Sequence, residues 1–142
     1  MEISRMTCCS VEDFGQIERL TGMLSATAKA DMDIVREVLV SRNSQLFVAR
    51  DDNGRIAGMA TVCCFTIPTG RHATIEDVVV LPECRGMGLG RRLVEEVLAY
   101  LKASGYGYKV GLTSRPSRTE ANALYRSMGF RQKETNVYTM DV

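Results

Sequence analysis

No stretch of this sequence approaches the roughly 20 apolar residues that cross a bilayer. Its start, Met1-Glu2-Ile3-Ser4-Arg5, lacks the basic and long apolar segments of a signal peptide. These absences predict a cytoplasmic protein with no membrane association. Histidine occurs once, as His72, and the five cysteines (8, 9, 63, 64 and 84) include no Cys-x-x-Cys pair. A structural zinc site wants that spacing or a Cys/His set, so no metal is expected. The odd count and the adjacent pairs argue against a disulfide framework and leave reduced, packing cysteines. Repeats, linkers and low-complexity stretches are also missing, and 142 residues suit a single domain over 1–142. A net charge of +1 gives no overall reason to expect nucleic acid as a partner.

What is present is an ordinary globular composition, 45% hydrophobic and 25% charged. The charge is unevenly spread. Residues 1–84 carry 8 Lys and Arg against 12 Asp and Glu, a balance of −4. Residues 85–133 carry 10 against 3, a balance of +7, and the last nine add −2. Two readings stay open: scatter on solvated faces, or a basic half for a polyanionic cofactor beside an acidic half for a cation.

The hydrophobic period assigns the elements. Ser10 followed by Asp13 marks a helix start, with Phe14, Ile17, Leu20, Met23 and Leu24 at helical spacing. A second helix is expected over 28–41, with Ile34, Val35, Val38 and Leu39 on one face. Strands follow at 45–50, 56–67 and 73–81, separated by Asp52-Asn53-Gly54 and Pro68-Thr69-Gly70. Leu89, Leu93, Val94, Val97, Leu98 and Leu101 mark an amphipathic helix closed by Gly105. Residues 109–113 read as a short strand, and Ser117-Arg118-Thr119-Glu120 as a capping box for a helix ending at Gly129. Alternation over 136–142 predicts a terminal strand, and a short strand before the first helix is an option. The order describes an α/β sandwich around a mixed sheet.

The most informative segment is Val78-Val79-Val80-Leu81-Pro82-Glu83-Cys84-Arg85-Gly86-Met87-Gly88-Leu89-Gly90-Arg91-Arg92. A buried strand enters a loop with three alternate glycines, and the loop enters a helix. Glycines let backbone N–H groups approach an anion, and the helix start adds partial positive charge. A diphosphate suits such a loop. A P-loop would end Gly-Lys-Ser/Thr, and this one ends Gly-Arg-Arg. A dinucleotide fingerprint needs Gly-x-Gly-x-x-Gly and an acidic residue about 20 positions later. Here the glycines lie two apart, and no carboxylate stands between Glu96 and Glu120. That leaves the pyrophosphate of coenzyme A, or a plain flexible turn.

Arg85-x-x-Gly88-x-Gly90 after a Val-rich strand resembles the acetyl-CoA motif of the GNAT superfamily. Ala121-Asn122-Ala123-Leu124-Tyr125-Arg126-Ser127-Met128-Gly129-Phe130 resembles that family's second signature. The resemblance covers residues 45–142 in motif and element order. It implies a GNAT-type sandwich with a mixed, mainly antiparallel sheet, and acetyl-CoA as co-substrate. It further implies that Arg85, Gly86, Met87, Gly88, Leu89, Gly90 and Arg91 cradle the pyrophosphate, largely through backbone amides. The main chain of Val78, Val79 and Val80 would pair with the pantetheine arm as an added strand does. Asn122 would lie near the pantetheine and Tyr125 near the sulfur. One position departs from the family's habit, with Arg118 where Asn is frequent. Ile75-Glu76-Asp77-Val78-Val79-Val80 is similar to glucosamine-6-phosphate N-acetyltransferases, a likeness that many bacterial members of other specificity share.

Acetyl transfer to an amine needs a base, because an alkylamine with a pKa of about 10 is charged at neutral pH. Glu76, set in the apolar strand leading to the loop, is the candidate, directly or through water, the alternative being an exposed strand end or a pair with an arginine. Asp77 would point to the opposite face unless a bulge intervenes, and is either a contact for the substrate amine or a second base, or else a surface charge. A backbone N–H at Val79 or Val80 would hold the oxyanion. Tyr125 shares helical spacing with Ala121, Leu124 and Met128 and could simply fill the core. The resemblance, and a phenol pKa close to that of a departing thiolate, imply instead that it protonates the thiolate. An acyl-cysteine route through Cys84 is the weaker alternative, since nothing nearby would lower that thiol's pKa.

The expected protein is therefore an N-acetyltransferase moving acetyl from acetyl-CoA to a primary amine in a ternary complex. A small-molecule acceptor is favoured, with polyamine, amino sugar or aminoglycoside-like compounds suggested by the acidic half. A protein N-terminus or lysine as acceptor, and a non-catalytic acyl-CoA-binding module, are the alternatives. The terminal strand offers an edge for a homodimer.

Overall fold

The computed structural model describes all of residues 1–142. The elements run β1 (Glu2–Arg5), α1 (Val11–Thr21), α2 (Met32–Val40), β2 (Ser44–Arg50), β3 (Ile56–Ile67) and β4 (Gly70–Val80). A 3₁₀ turn at Pro82–Cys84 follows, then α3 (Leu89–Ala103), β5 (Lys109–Gly111) and α4 (Thr119–Ser127). Contacts divide the chain into two compact units, Met1–Leu112 and Thr113–Val142.

In the first unit the five strands lie in chain order, β1 to β4 antiparallel and β5 parallel to β4. This is the mixed, mainly antiparallel sheet expected. A Cβ on Gly58 would stand 3.1 Å from Leu93 Cδ1, so Gly58 faces α3. Its neighbour Met59 lines a cavity with Ile17 of α1 and Val35 of α2, so α1 and α2 cover the other face. The ring of Phe47, opposite Ala60, meets Tyr100 of α3 edge-on at 5.6 Å, as this alternation requires. The core lies in these two layers, with Val48, Ile56, Val62, Leu20, Leu93, Val94 and Val97 fully enclosed.

Local chemistry explains most boundaries. Ser10 Oγ accepts from Asp13 N at 3.0 Å and Asp13 Oδ2 from Ser10 N at 3.2 Å, a reciprocal cap that opens α1. Arg50 Nη1 donates to Asp13 Oδ1 at 2.8 Å and ties that cap to β2. The second helix starts at Met32, later than expected, because Asp31 Oδ1 caps it by accepting from the N–H groups of Asp33 and Ile34.

Four further expectations are corrected. The box at Ser117 does not form, since α4 has Arg118 as its N-cap and no side-chain cap. Residues 130–142 contain no strand, and Tyr138, Met140 and Val142 are exposed. Alternation alone does not make a strand; a ladder partner must accept its hydrogen bonds, and here none does. The dimer edge ascribed to that strand is therefore not formed. Cys8 is exposed rather than packed, while the other four free cysteines are half-buried.

Candidate functional site

The site begins where β4 is interrupted. Met59 pairs with Val79 and Thr61 with Glu76, so Ala60 alone faces both Asp77 and Val78. This is a β-bulge, and Asp77 sits in it at φ 52, the chain's sole non-glycine residue with positive φ. Aspartate is among the few residues that tolerate this region, at a modest cost in strain. The bulge reverses the pleat. Ile75 opposes Val62 on the α3 face, whereas Val79 opposes Met59 on the α1/α2 face.

The reversal decides where the carboxylates go. Glu76 opposes Thr61, and Thr61 and Asp77 line the same cavity, so both carboxylates face α1 and α2. Glu76 is exposed and lies beside the cavity without lining it. The cavity holds about 180 Å³. Asp77 sits at its mouth, reached by water on one side, yet the apolar walls behind raise its carboxyl above the ordinary range. No hydrogen bond or cation offsets that burial.

The opposite edge of β4 is open. The parallel ladder to β5 stops at Thr74 and Gly111, so from Ile75 to Val80 this edge has no strand beside it. Leu81 N–H bonds to Ala57 O at 2.8 Å, which by alternation turns the peptide groups of Val80 to the open edge. Arg85 Nε reaches back to Val80 O there, at 3.3 Å.

The open edge leads through the 3₁₀ turn into the glycine loop. Gly88 is the N-cap of α3 at φ 72, with no side chain capping the helix and no acidic residue in the first turn. The ladder starts with Arg92 N–H on Gly88 O, so the N–H groups of Leu89 and Gly90 have no acceptor within the helix. Nothing lies within 4 Å of a Cβ built on Gly86 or Gly88, which makes the loop an open cradle of backbone donors. Leu89 is buried and anchors the helix, while Met87 is exposed. Arg91 approaches Glu95 at 3.9 Å, and Arg92 donates to Met1 O at 2.7 Å. A diphosphate fits the chemistry of this donor set.

In the second unit, α4 carries Asn122 and Tyr125 about one turn apart. Asn122 Nδ2 donates to Arg115 O at 2.9 Å. Tyr125 is 6% exposed, and its ring meets Phe130 edge-on at 6.1 Å. Burial raises its phenol above the ordinary range, and nearby Arg118 opposes part of that.

A profile of the acetyltransferase (GNAT) family matches residues 14–130, across both units. The chain belongs to the GNAT acetyltransferase family. An uncharacterised N-acetyltransferase of Schizosaccharomyces pombe is 35% identical over 89 residues, covering 63% of this chain and 53% of that protein. Glucosamine 6-phosphate N-acetyltransferase 1 of Oryza sativa is 33% identical over 96 residues, covering 65% of this chain and 56% of that one. The GNAT chain thus spans about half the length of the curated relatives it matches. Among solved structures, an acetyltransferase of Trypanosoma brucei superposes with a TM-score of 0.75 at 26% identity, over 99% of each chain.

This GNAT chain contains no cluster of His, Cys, Asp and Glu able to hold a metal. No helix is long and apolar enough to cross a membrane. The cavity walls from α1, α2 and β2 escaped the sequence reading. Ile34, Val35 and Val38 were legible as one helix face, but nothing in their spacing shows that the face leaves a cavity over β3.

Proposed function

We propose that the protein transfers acetyl from acetyl-CoA to a primary amine, by direct attack, within one catalytic domain. One observation carries the reading: the unpaired edge of β4, from Ile75 to Val80, runs directly into the open glycine cradle before α3. That arrangement suits a ligand with a strand-like arm and a diphosphate. The family profile spans both units, which supports treating them as one domain.

The residues then divide the work. Backbone donors from Gly86 to Gly90, with Arg85 and Arg91 beside them, hold the pyrophosphate, and the edge of Val78–Val80 holds the pantetheine. Asp77 holds the acceptor's ammonium. Glu76, on the same face, takes its proton directly or through water. The amine nitrogen bonds to the acetyl carbon, and the developing oxyanion meets a backbone N–H, for which outward-facing Val80 is better placed than Val79. As the carbon–sulfur bond breaks, Tyr125 gives its phenolic proton to the thiolate, and the nitrogen's second excess proton passes through water to the tyrosinate. The raised phenol stays protonated at neutral pH, as a donor must. Asn122 braces the pantetheine.

A small-molecule acceptor is favoured over a protein by the cavity's size, about 180 Å³. The test is thiol release from acetyl-CoA across a panel of amines, with calorimetry of acetyl-CoA binding. Tight binding with amine-dependent release supports the reading. Binding without turnover for any amine would leave a non-catalytic acyl-CoA module.

A further inference from the structure

The cavity beneath the bulge carries information about the acceptor that the cofactor edge does not. Its floor is β3, where Met59 opposes Val79 and Thr61 opposes Glu76. Its walls are Ile17 of α1 together with Ile34, Val35 and Val38 of α2. These are branched, apolar side chains with no hydrogen-bonding capacity. The charged lining is mostly acidic, with Asp77 and Asp31 against the lone ammonium of Lys29, and the hydroxyls of Thr21 and Thr61 are the other polar groups. Asp31 already spends Oδ1 on the N-terminus of α2. Asp77 alone stands with no partner, over an apolar interior.

We propose that this cavity takes the acceptor, and that the acceptor is a small primary amine with one positive charge and an apolar alkyl or aryl body. The proposal rests on the acetyltransferase reading and narrows it. Three features decide the class. First, about 180 Å³ is close to the size of an apolar cavity that holds one benzene ring, and too small for a multi-ring aminoglycoside. Second, apart from the hydroxyls of Thr21 and Thr61 the uncharged lining is apolar, so hydroxyl-rich sugars and extra ammonium groups would lose water for few hydrogen bonds. Third, no arginine lines the cavity, and a phosphate would meet two carboxylates there. A single ammonium, by contrast, satisfies Asp77 and leaves the hydrocarbon against Val35, Val38 and Met59. Glu76 then accepts the ammonium proton, and the freed lone pair attacks the thioester. As the carbon–sulfur bond breaks, the nitrogen loses its second excess proton while the thiolate takes one from Tyr125.

The experiment measures thiol release from acetyl-CoA with 2-phenylethylamine, spermidine, glucosamine 6-phosphate and kanamycin. The expected kcat/KM for 2-phenylethylamine exceeds each of the others by at least tenfold. Asp77→Asn, which keeps a residue able to adopt the left-handed conformation, should raise its KM at least tenfold with the acetyl-CoA Kd unchanged. Ile34→Arg, at a position 56% exposed, should do likewise by placing a cation at the apolar wall. Preference for the sugar phosphate, the aminoglycoside or the polyamine, or an unmoved KM in Asp77→Asn, overturns the proposal while acetyl transfer stands. If no amine turns over, calorimetry with 2-phenylethylamine decides. Saturable binding lost in Asp77→Asn upholds the pocket although the transfer reading fails, and absence of binding overturns the pocket itself.

Discussion

Glu76 and Asp77 are adjacent in sequence, yet both lie on the sheet face covered by α1 and α2. In a regular strand they would point to opposite faces. The extra residue opposite Ala60 absorbs the half-period, and its left-handed backbone turns the Asp77 carboxylate into the cavity. One local irregularity therefore gathers two carboxylates on the face that holds the cavity, while the edge of β4 away from β3 stays unpaired from Ile75 to Val80.

Glu76→Gln should leave acetyl-CoA affinity intact and lower turnover by about 10²–10⁴-fold, the usual contribution of a general base. The deficit should shrink as pH rises towards the amine's own pKa, where deprotonation needs no help. Wild-type turnover across the pH range would remove Glu76 from the mechanism.

The glycine loop is tested by Gly88→Leu. Its φ of 72 disfavours any β-carbon, and the side chain would project into the open cradle. Acetyl-CoA affinity should fall at least tenfold, about 1.4 kcal/mol, by calorimetry. Unchanged affinity in a folded variant would contradict the pyrophosphate assignment.

Tyr125→Phe keeps the ring that packs against Phe130 and removes only the hydroxyl. We expect turnover to fall about 10–100-fold, with thermal midpoint and acetyl-CoA affinity preserved. If the rate also stays at the wild-type value, water protonates the thiolate and the phenol serves packing alone.

The Asp13–Arg50 bridge predicts an acid-sensitive component of stability. The Arg50 hydrogen bond holds the Asp13 carboxyl below the ordinary carboxylate range. A depressed carboxylate contributes fully above its unfolded pKa, near pH 4, and loses that contribution as pH falls through its folded value. Asp13→Asn keeps an oxygen for Ser10 N–H but removes the charge. It should cost about 1–3 kcal/mol at pH 7, and the difference from wild type should close in strongly acid solution. Urea midpoints measured against pH check this, and a difference constant with pH would count against the bridge.

The sequence by itself determined the parts whose cause is local. The 3.6-residue period of 89–101 placed α3, the Ser10/Asp13 spacing placed the cap of α1, and the glycines before Leu89 marked a helix start able to hold an anion. The two signatures also identified the family, since they are short motifs read in order. What tertiary structure decided depends on partners far away in the chain. The bulge at Asp77 exists because Met59 and Thr61 fix their registers with residues three apart on β4, which no property of 75–80 announces. The cavity exists because α1 and α2 meet β3 without filling the space beneath Asp77, a matter of packing volume rather than of period. Residues 136–142 show the converse: their alternation is strand-like, but a strand forms only where another edge completes its hydrogen bonds.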